Sequence, residues 1–392
     1  MNDRSGISPQ VLAMEPEMLQ WRRHFHQYPE LSFQENETST YIEAQLRSFE
    51  NIEVTRPTPT SVMGVIKGKT PGRVIALRAD IDALPMTEKN DLPFASVREG
   101  AMHSCGHDAH AAMLLAAAKC FSSMTEQLSG EVRLLFQHAE ELPPGGAAEM
   151  MKAGVMEGVD EIYGLHVSSN YETCTFGIRS GALTSATDRF DIVIKGKGGH
   201  SAFPETTVDP VVIGAQVITG LQSIVSRQTA AVDTVVLSIC QVQAGQAYNI
   251  VPGEMSITGS TRTFDKGIRE ALPGRMERIV KGITSAYGAD YEFTFSKGYA
   301  SVINDEKLTA NAQHLIAKQF GEKACVHIGP LMPGEDFSAF LENCPGCFLE
   351  LGTRNAEKGC DQPHHNCNYM LDEDALVFGV EFYRQLILDR LS

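Results

Sequence analysis

The segment MHSCGHDAH (102–110) holds the densest set of metal-binding side chain types in the chain. Cys105 and His107 stand two residues apart with a glycine between them, so a tight loop can direct a thiolate and an imidazole to one point. That pair suits a borderline or soft divalent ion. Asp108 is expected either to support a bound histidine or to cap the helix that follows. The alternative is a polar loop whose histidines are incidental.

Two adjacent carboxylates, Glu140 and Glu141, follow the apolar run VRLLFQ (132–137). Neighbouring carboxylates repel each other unless a cation or a proton lies between them. One of the two can bind metal while the other stays free as a general base, which is the division of labour that metal-assisted hydrolysis needs. A solvated acidic loop is the alternative interpretation.

Polar residues also close two other apolar runs. Asp80 and Asp82 come at the end of RVIALRAD (73–80) and just after it, and His166 comes near the end of EIYGLHV (161–167). Asp80 and Asp82 are expected to orient a metal-bound histidine, or only to turn the chain. His166 is either a metal ligand or a histidine whose ring nitrogens are satisfied within the core.

The order of these runs predicts an α/β fold. Strands over 73–80, 132–141 and 161–167 alternate with helices over 108–124 and 143–154. Such alternation is typical of a doubly wound, mostly parallel sheet, in which ligands bind beyond the carboxyl ends of the strands. The polar residues that close the runs should therefore gather at one edge of the sheet.

From about residue 186 the pattern changes to the order β-α-β-β-α-β, the split unit of ferredoxin-like α+β domains. Its second helix contains Pro273, where we expect a kink. After residue 300 the α/β pattern resumes. The sequence thus predicts a discontinuous catalytic domain, 1–185 and 300–392, with a second domain, 186–299, inserted in it.

Composition excludes some classes of function and indicates the compartment. With 33 basic and 49 acidic residues, the 392-residue chain has a formal net charge of −16, so it is a poor partner for nucleic acids or anionic membranes. No apolar run is long enough to span a bilayer, and the N-terminal residues lack the pattern of a signal peptide. The nine cysteines favour a reducing compartment, which predicts a cytoplasmic protein.

The C-terminal region offers a competing metal site. Cys344 and Cys347 form a CxxC pair, and Cys360 and Cys367 follow, with two histidines between them. Four cysteines can form a structural zinc site. However, the separation of the second pair is wrong for a zinc knuckle, and CPGC is also typical of a turn before a strand.

Taken together, the motifs resemble those of the metallo-aminohydrolases that include hippurate hydrolase, plant indole-acetyl-amino-acid hydrolases, aminobenzoyl-glutamate hydrolase and bacterial N-acyl-L-amino-acid amidohydrolases. This family is a branch of the larger dinuclear aminoacylase and carboxypeptidase group. The likeness covers almost the whole chain and is carried by RRHFHQYPELSFQE (22–35), RADIDALP (78–85), MHSCGHDAH (102–110), QHAEE (137–141), GLHV (164–167), GKGGHSAFPE (196–205), GQAYNIVPGE (245–254), GSTRTF (259–264), MPGEDFSAF (332–340) and PHHNCNYMLDEDAL (363–376).

The resemblance implies two divalent metal ions per subunit, with Glu140 as the general base. Manganese or zinc is expected first, with cobalt and nickel as further candidates. The implied ligands are Cys105, His107, Glu141, His166 and His365. The last of these follows from the family pattern His-Asn-Pro-x-Tyr, because aligning Tyr369 places His365, and not His364, at the ligand position; Cys367 stands where the family has proline.

The resemblance also implies that the inserted domain is a lid and dimer surface, so we expect a homodimer or higher homo-oligomer. His200 corresponds to the lid histidine of the family, while Asn249 and Arg262 lie in segments that help to fix the substrate. The implied substrate is a small-molecule N-acyl amino acid, cleaved at its amide bond, and Arg262 suits its α-carboxylate. The alternatives are a dipeptidase or carboxypeptidase of the same fold, or a non-catalytic metal-binding relative.

Overall fold

The structure, a computed structural model, describes residues 4–392. The described chain divides into two compact units. The first extends to Leu183 and continues in Val302–Pro330 and Asp336–Ser392, and the second comprises Thr184–Ser301 and Leu331–Glu335. The main boundaries lie within two residues of the predicted ones, and the short return segment Leu331–Glu335 is a feature that the sequence pattern does not predict.

The secondary structure elements are numbered in chain order. The α-helices of the described residues are α1 (Pro9–Gln27), α2 (Asn36–Ser48), α3 (His107–Ser122), α4 (Gly146–Lys152), α5 (Pro210–Arg227), α6 (Lys266–Ala286), α7 (Glu306–Phe320) and α8 (Leu376–Leu391). The β-strands are β1 (Glu53–Thr55), β2 (Val62–Lys67), β3 (Thr70–Asp80), β4 (Ser129–Gln137), β5 (Glu161–Glu172), β6 (Phe176–Ile178), β7 (Gly181–Ala182), β8 (Ala186–Lys195), β9 (Gly199–His200), β10 (Val235–Ala244), β11 (Ile250–Val251), β12 (Glu254–Thr263), β13 (Asp290–Lys297), β14 (Ile303–Asn304), β15 (Cys325–His327) and β16 (Gly346–Arg354). Within residues 4–392, no helix has the length and apolar character that crossing a membrane requires.

The first unit is built on an eight-stranded sheet in the order β1-β2-β4-β3-β5-β16-β6-β15. Its four middle strands, β4, β3, β5 and β16, run parallel to one another. On either side of them, β2 and β6 join as antiparallel neighbours. This mixed but centrally parallel sheet confirms the predicted α/β class.

Helix α3 lies in the middle of this unit, packed against α1 and α8. Its Ala- and Leu-rich sequence is buried on every side, as expected for a helix that is apolar all round. The helix begins at His107, and Gly106 is its N-cap residue. Asp108 is therefore not the cap. It lies in the first turn, where a negative charge is favoured by the helix dipole and where it binds Arg22 and His26.

The strand ends bring the predicted polar residues to one edge of this sheet. Strand β3 ends at Asp80, and β4 ends at Gln137, just before the two glutamates. His166 does not end a strand, because β5 continues to Glu172. The pairing of β5 with β3 nevertheless stops at Gly164, so His166 lies past the paired segment, at the level where β3 ends.

The second unit contains a four-stranded antiparallel sheet in the order β10-β12-β8-β13. Helices α5 and α6 begin after the capping carboxylates Asp209 and Asp265, and they pack on the sheet. Alternate residues of β12 are buried, as a sheet covered on one face requires. This is the predicted β-α-β-β-α-β arrangement, and α6 runs without interruption through Pro273.

Candidate metal centre

The loop that enters α3 depends on Gly106, which has a φ of 90°. A Cβ atom at this position would lie 2.2 Å from Cγ2 of Val167 and 3.2 Å from the hydroxyl of Tyr369. Only glycine fits both the backbone angle and the space. The resulting tight turn holds Cys105 and His107 on the two sides of the glycine, as the spacing predicts.

Two groups of metal-type ligands share the thiol of Cys105. The first contains Cys105, His107 and Glu141, and the second contains Cys105, His166 and His364. Within each group the ligand atoms lie within 4.8 Å of one another. The Sγ atom of Cys105 is 3.5 Å from Nε2 of His166. The two groups thus have one residue, Cys105, in common.

Asp82 fixes the orientation of the His107 ring. Nδ1 of His107 lies 2.9 Å from the backbone oxygen of Asp82 and 3.2 Å from its carboxylate. This leaves Nε2 of His107 buried without a hydrogen-bond partner among the described residues, 4.0 Å from Oε1 of Glu141. A buried nitrogen in that state is costly unless something binds it, so the site fits a metal ion at this position.

The electrostatics of the site also fit cations. Burial opposes protonation of His107, yet Asp80, Asp82 and Glu141 outweigh it and raise its pKa to about 10. Burial, together with Glu141, Glu140 and Asp80, raises the pKa of the Cys105 thiol well above its usual range. Divalent cations would reverse both effects, because they stabilise a thiolate and compete with protons for imidazole.

Asp80 belongs to a second buried network that the sequence did not reveal. Its carboxylate binds Nδ1 of His110 at 2.5 Å and the guanidinium of Arg78 at 2.6 Å. Nε2 of His110 accepts the backbone N–H of Val167, the residue after His166. Arg78, His107 and His110 together overcome the burial of Asp80 and hold its pKa well below its usual range. The available signal was Arg78 itself, a charge within an otherwise apolar strand.

Glu140, the predicted general base, is buried with 6% of its surface exposed. It lies between Ala139, whose φ is 49°, and Glu141, whose N–H donates to Oδ2 of Asp82 at 3.0 Å. The predicted pair of carboxylates thus sits at the sheet edge with its backbone held by Asp82.

The two C-terminal histidines occupy different places. His364 belongs to the group with Cys105 and His166, and its Nε2 accepts the N–H of Ser169 at 3.3 Å. His365, the predicted ligand, is exposed, and its Nε2 lies 3.3 Å from Oε1 of Glu141. His365 has a φ of 61°, a conformation that costs energy for a residue with a Cβ. Both imidazoles therefore reach the site, His364 at the second group and His365 beside the first.

The predicted lid residues lie in the second unit. His200 is an exposed residue of β9, opposite Ile250 of β11, and its Nδ1 accepts the N–H of Ala202. Asn249 is exposed just before β11. Arg262 lies half-buried on β12, where its guanidinium donates to the backbone oxygen of Thr261 at 3.5 Å. All three side chains are available to a ligand.

The competing zinc site does not form. Among residues 4–392, no group of three close metal-type ligands includes Cys344, Cys347, Cys360 or Cys367. Cys347 is fully buried in β16 beside the hydroxyl of Thr309, as in an ordinary core position. None of the nine cysteines, all within residues 4–392, forms a disulfide.

Known proteins share this architecture. Residues 76–389 match the family described as peptidase family M20/M25/M40. An N-acyl-L-amino acid amidohydrolase of Geobacillus stearothermophilus is 54% identical over 77% of this chain and 81% of its own length. Thermostable carboxypeptidase 1 of Saccharolobus solfataricus is 40% identical over 94% of each chain. A dinuclear metal-binding M20 peptidase of Bacillus subtilis superimposes with a TM-score of 0.85 at 37% identity, covering 96% of this chain and 98% of that chain. The chain belongs to peptidase family M20/M25/M40.

Proposed function

We propose that this protein is a dinuclear metal-dependent amidohydrolase that cleaves N-acyl amino acids to a carboxylic acid and a free amino acid. The observation that carries the proposal is the pair of ligand groups that share Cys105. The buried Glu140 comes directly before Glu141, a member of one of these groups. The similarity to a named N-acyl-L-amino acid amidohydrolase supports the substrate class.

The proposed ligands are Cys105, His107, Glu141, His166 and His365, with His364 as the alternative for the fifth. Two observations support His365: its left-handed backbone conformation and its position beside Glu141. His364 stays the alternative because it lies with Cys105 and His166, and its buried Nδ1 has no hydrogen-bond partner among the described residues. When bound, two divalent ions supply Lewis acidity that polarises the substrate carbonyl and makes water more acidic.

In this mechanism Glu140 takes a proton from the attacking water and transfers it to the departing amine nitrogen. Asp82 contributes twice, since it orients His107 through Nδ1 and holds the backbone of Glu141. Both roles keep the ligands and the base in one geometry, which is the main contribution that a protein makes to a hydrolytic metal site.

The second unit supplies substrate recognition in this proposal. His200 donates a hydrogen bond to the oxygen on which negative charge develops, Arg262 pairs with the α-carboxylate, and Asn249 helps to hold the substrate. The exposure of His200 and Asn249, and the long 3.5 Å contact of the Arg262 guanidinium, support these roles. The same unit is proposed as the contact surface of a homodimer or higher homo-oligomer.

The metal ions are proposed to be manganese or zinc, with cobalt and nickel as alternatives, because imidazole, carboxylate and thiolate ligands suit these ions. The proposed compartment is the cytoplasm. Nine cysteines that form no disulfide, one of them at the centre of the site, support a reducing environment.

A carboxypeptidase is the second candidate, and the similarity to thermostable carboxypeptidase 1 favours it. Both candidates cleave an amide next to a free carboxylate, so the discriminating feature is whether a free α-amine on the acyl side is accepted.

A substrate panel tests the proposal. Purified protein is stripped of metal, reloaded with manganese, zinc, cobalt or nickel, and assayed with acetyl-, benzoyl- and indole-acetyl-amino acids and with dipeptides. We expect the N-acyl amino acids to give the highest kcat/KM. A clear preference for dipeptides would favour the carboxypeptidase, and absence of turnover with every loaded metal would refute an amide hydrolase.

A further inference from the structure

Glu35 is a buried carboxylate whose hydrogen bonds do not serve its own helix. It is the N-cap residue of α2, yet its side chain makes no capping hydrogen bond. The N–H of Thr38, in the first turn of α2, instead donates to Oε2 of Glu30 at 2.7 Å. Since Glu30 performs the capping that normally falls to the N-cap residue, helix stability does not explain Glu35.

The carboxylate of Glu35 instead contacts the segment that carries the general base. Its Oε1 accepts the N–H of Ala139 at 2.8 Å and the N–H of Phe33 at 3.0 Å. Both residues have a positive φ, 49° for Ala139 and 65° for Phe33. Left-handed backbone is unfavourable for residues that carry a Cβ, so these conformations need external support, and Glu35 provides it at both.

The backbone on each side of Glu140 is therefore fixed. The N–H of Ala139 is held by Glu35, and its carbonyl oxygen accepts the N–H of Gly146 at 3.1 Å. On the other side, the N–H of Glu141 is held by Asp82 at 3.0 Å. Glu140 lies between these three hydrogen bonds, so they determine the direction in which its side chain leaves the backbone.

The environment of Glu35 indicates that this carboxylate does not serve to stabilise the helix or the core. The residue has no exposed surface, and its Oε2 has no hydrogen-bond partner among the described residues. Burial and the nearby Asp82 raise the pKa of Glu35 to about 7. A core selected for stability alone would not retain such a group.

We infer that Glu35 is a positioning residue for the hydrolytic reaction, which fixes the backbone from which Glu140 reaches the substrate. The inference rests on the proposed function, because it assigns Glu35 to the general base of that reaction. This role requires an acceptor oxygen that is placed as far from the backbone as Oε1 of a glutamate. It does not require the negative charge.

Two substitutions separate these features. Glu35→Gln removes the charge but keeps an oxygen that can accept both N–H groups, whereas Glu35→Asp keeps the charge but withdraws the oxygen. We expect Glu35→Gln to retain kcat within about threefold and Glu35→Asp to lower it about 10- to 100-fold, because small displacements of a catalytic group have effects of that size. KM and metal content should change little in either variant.

Glu30→Ala is the matched control. Glu30 is another buried carboxylate of the same segment, and its role in capping α2 is structural. We expect this variant to have a lower Tm but an unchanged kcat. If the Glu35 variants behave in the same way, with kcat per metal-loaded molecule unchanged in Glu35→Asp, the inference is overturned. A larger loss in Glu35→Gln than in Glu35→Asp would also overturn it, since it would assign the role to the charge.

Hydrogen–deuterium exchange gives a readout that is independent of turnover. In Glu35→Asp the peptide that contains Ala139 should exchange faster than in the wild type, while the same peptide in Glu30→Ala should not. If the wild-type protein cleaves no N-acyl amino acid, the proposed function fails, and the exchange data still decide whether Glu35 holds this backbone. Unchanged exchange at Ala139 in Glu35→Asp would refute the inference by itself.

Discussion

The two units of the molecule present their candidate residues in opposite ways. In the first unit His107, Asp80 and Asp82 are fully buried, and each is bound by neighbours through short hydrogen bonds. In the second unit His200 and Asn249 are exposed, and Arg262 has only a weak internal contact. A buried metal site needs neighbouring residues that hold its ligands in place, because bringing charged ligands together is costly. Residues that meet a substrate must instead remain accessible to it.

The largest effect is expected for the general base of the first unit. Glu140→Gln should lower kcat by about two to four orders of magnitude, the usual contribution of a positioned general base. Metal content, measured by elemental analysis, should remain that of the wild type, because Glu140 is not a proposed ligand. Near-normal turnover in this metal-loaded variant would remove Glu140 from the mechanism.

The second-largest difference is expected in the free energy of unfolding, when a buried ion pair of the first unit is compared with an exposed pair of the second. Asp108 is fully buried with Arg22 and His26, so Asp108→Asn should lower the free energy of unfolding by about 3–5 kcal/mol, as for other broken buried ion pairs. Asp191 forms an exposed pair with Arg189 in the second unit, and Asp191→Asn should change stability little. Urea unfolding of the metal-free variants measures both. Equal effects would contradict the contrast between a preassembled site and an accessible surface.

His200→Ala tests the second unit. We expect kcat to fall about 100- to 1000-fold, as when an oxyanion donor is removed, with no loss of metal. Mixing this variant with Glu140→Gln shows which chain supplies the histidine. If His200 acts across a dimer, each mixed dimer has one intact site and one site with both defects. Such a dimer should have about half of the activity of a wild-type dimer. Absence of recovery under conditions of subunit exchange would show that His200 acts within its own chain.

The smallest effects are expected for substitutions of the metal ligands. These substitutions should lower the affinity for metal more clearly than the stability of the fold. Cys105→Ser should weaken metal binding at least about tenfold, whereas Cys240→Ser, an exposed cysteine of the second unit, should not. Metal retention by the wild type should also fall at acid pH, because the ligands must be deprotonated. Two tightly bound ions in Cys105→Ser would exclude this residue as a metal ligand.

The fifth ligand needs its own comparison. We expect His365→Ala to lose metal and His364→Ala to keep it, as the alignment on Tyr369 predicts. Elemental analysis of both variants decides the matter. Loss confined to His364→Ala would assign the role to the histidine that lies with Cys105 and His166.

The sequence by itself determined the order of elements, and the resemblance of its motifs to a known family supplied the candidate site residues. The alternation of strands and helices predicts the parallel sheet. Cys105, Glu140 and Glu141 are candidates because their types and spacing suit metal-assisted hydrolysis. The β-α-β-β-α-β order likewise predicts the second unit. These features are local in the chain, so periodicity and spacing are enough to find them.

Only the tertiary structure decided which distant residues support them. Asp108 was expected either to support a bound histidine or to cap α3, and in the structure it binds Arg22 and His26, more than 80 positions away. His166 was expected to end a strand, and its position depends on where the pairing of β3 with β5 stops. Glu35 and Ala139 are 104 residues apart in sequence and meet at 2.8 Å. Local pattern cannot predict such contacts, because they are created when separate elements pack together.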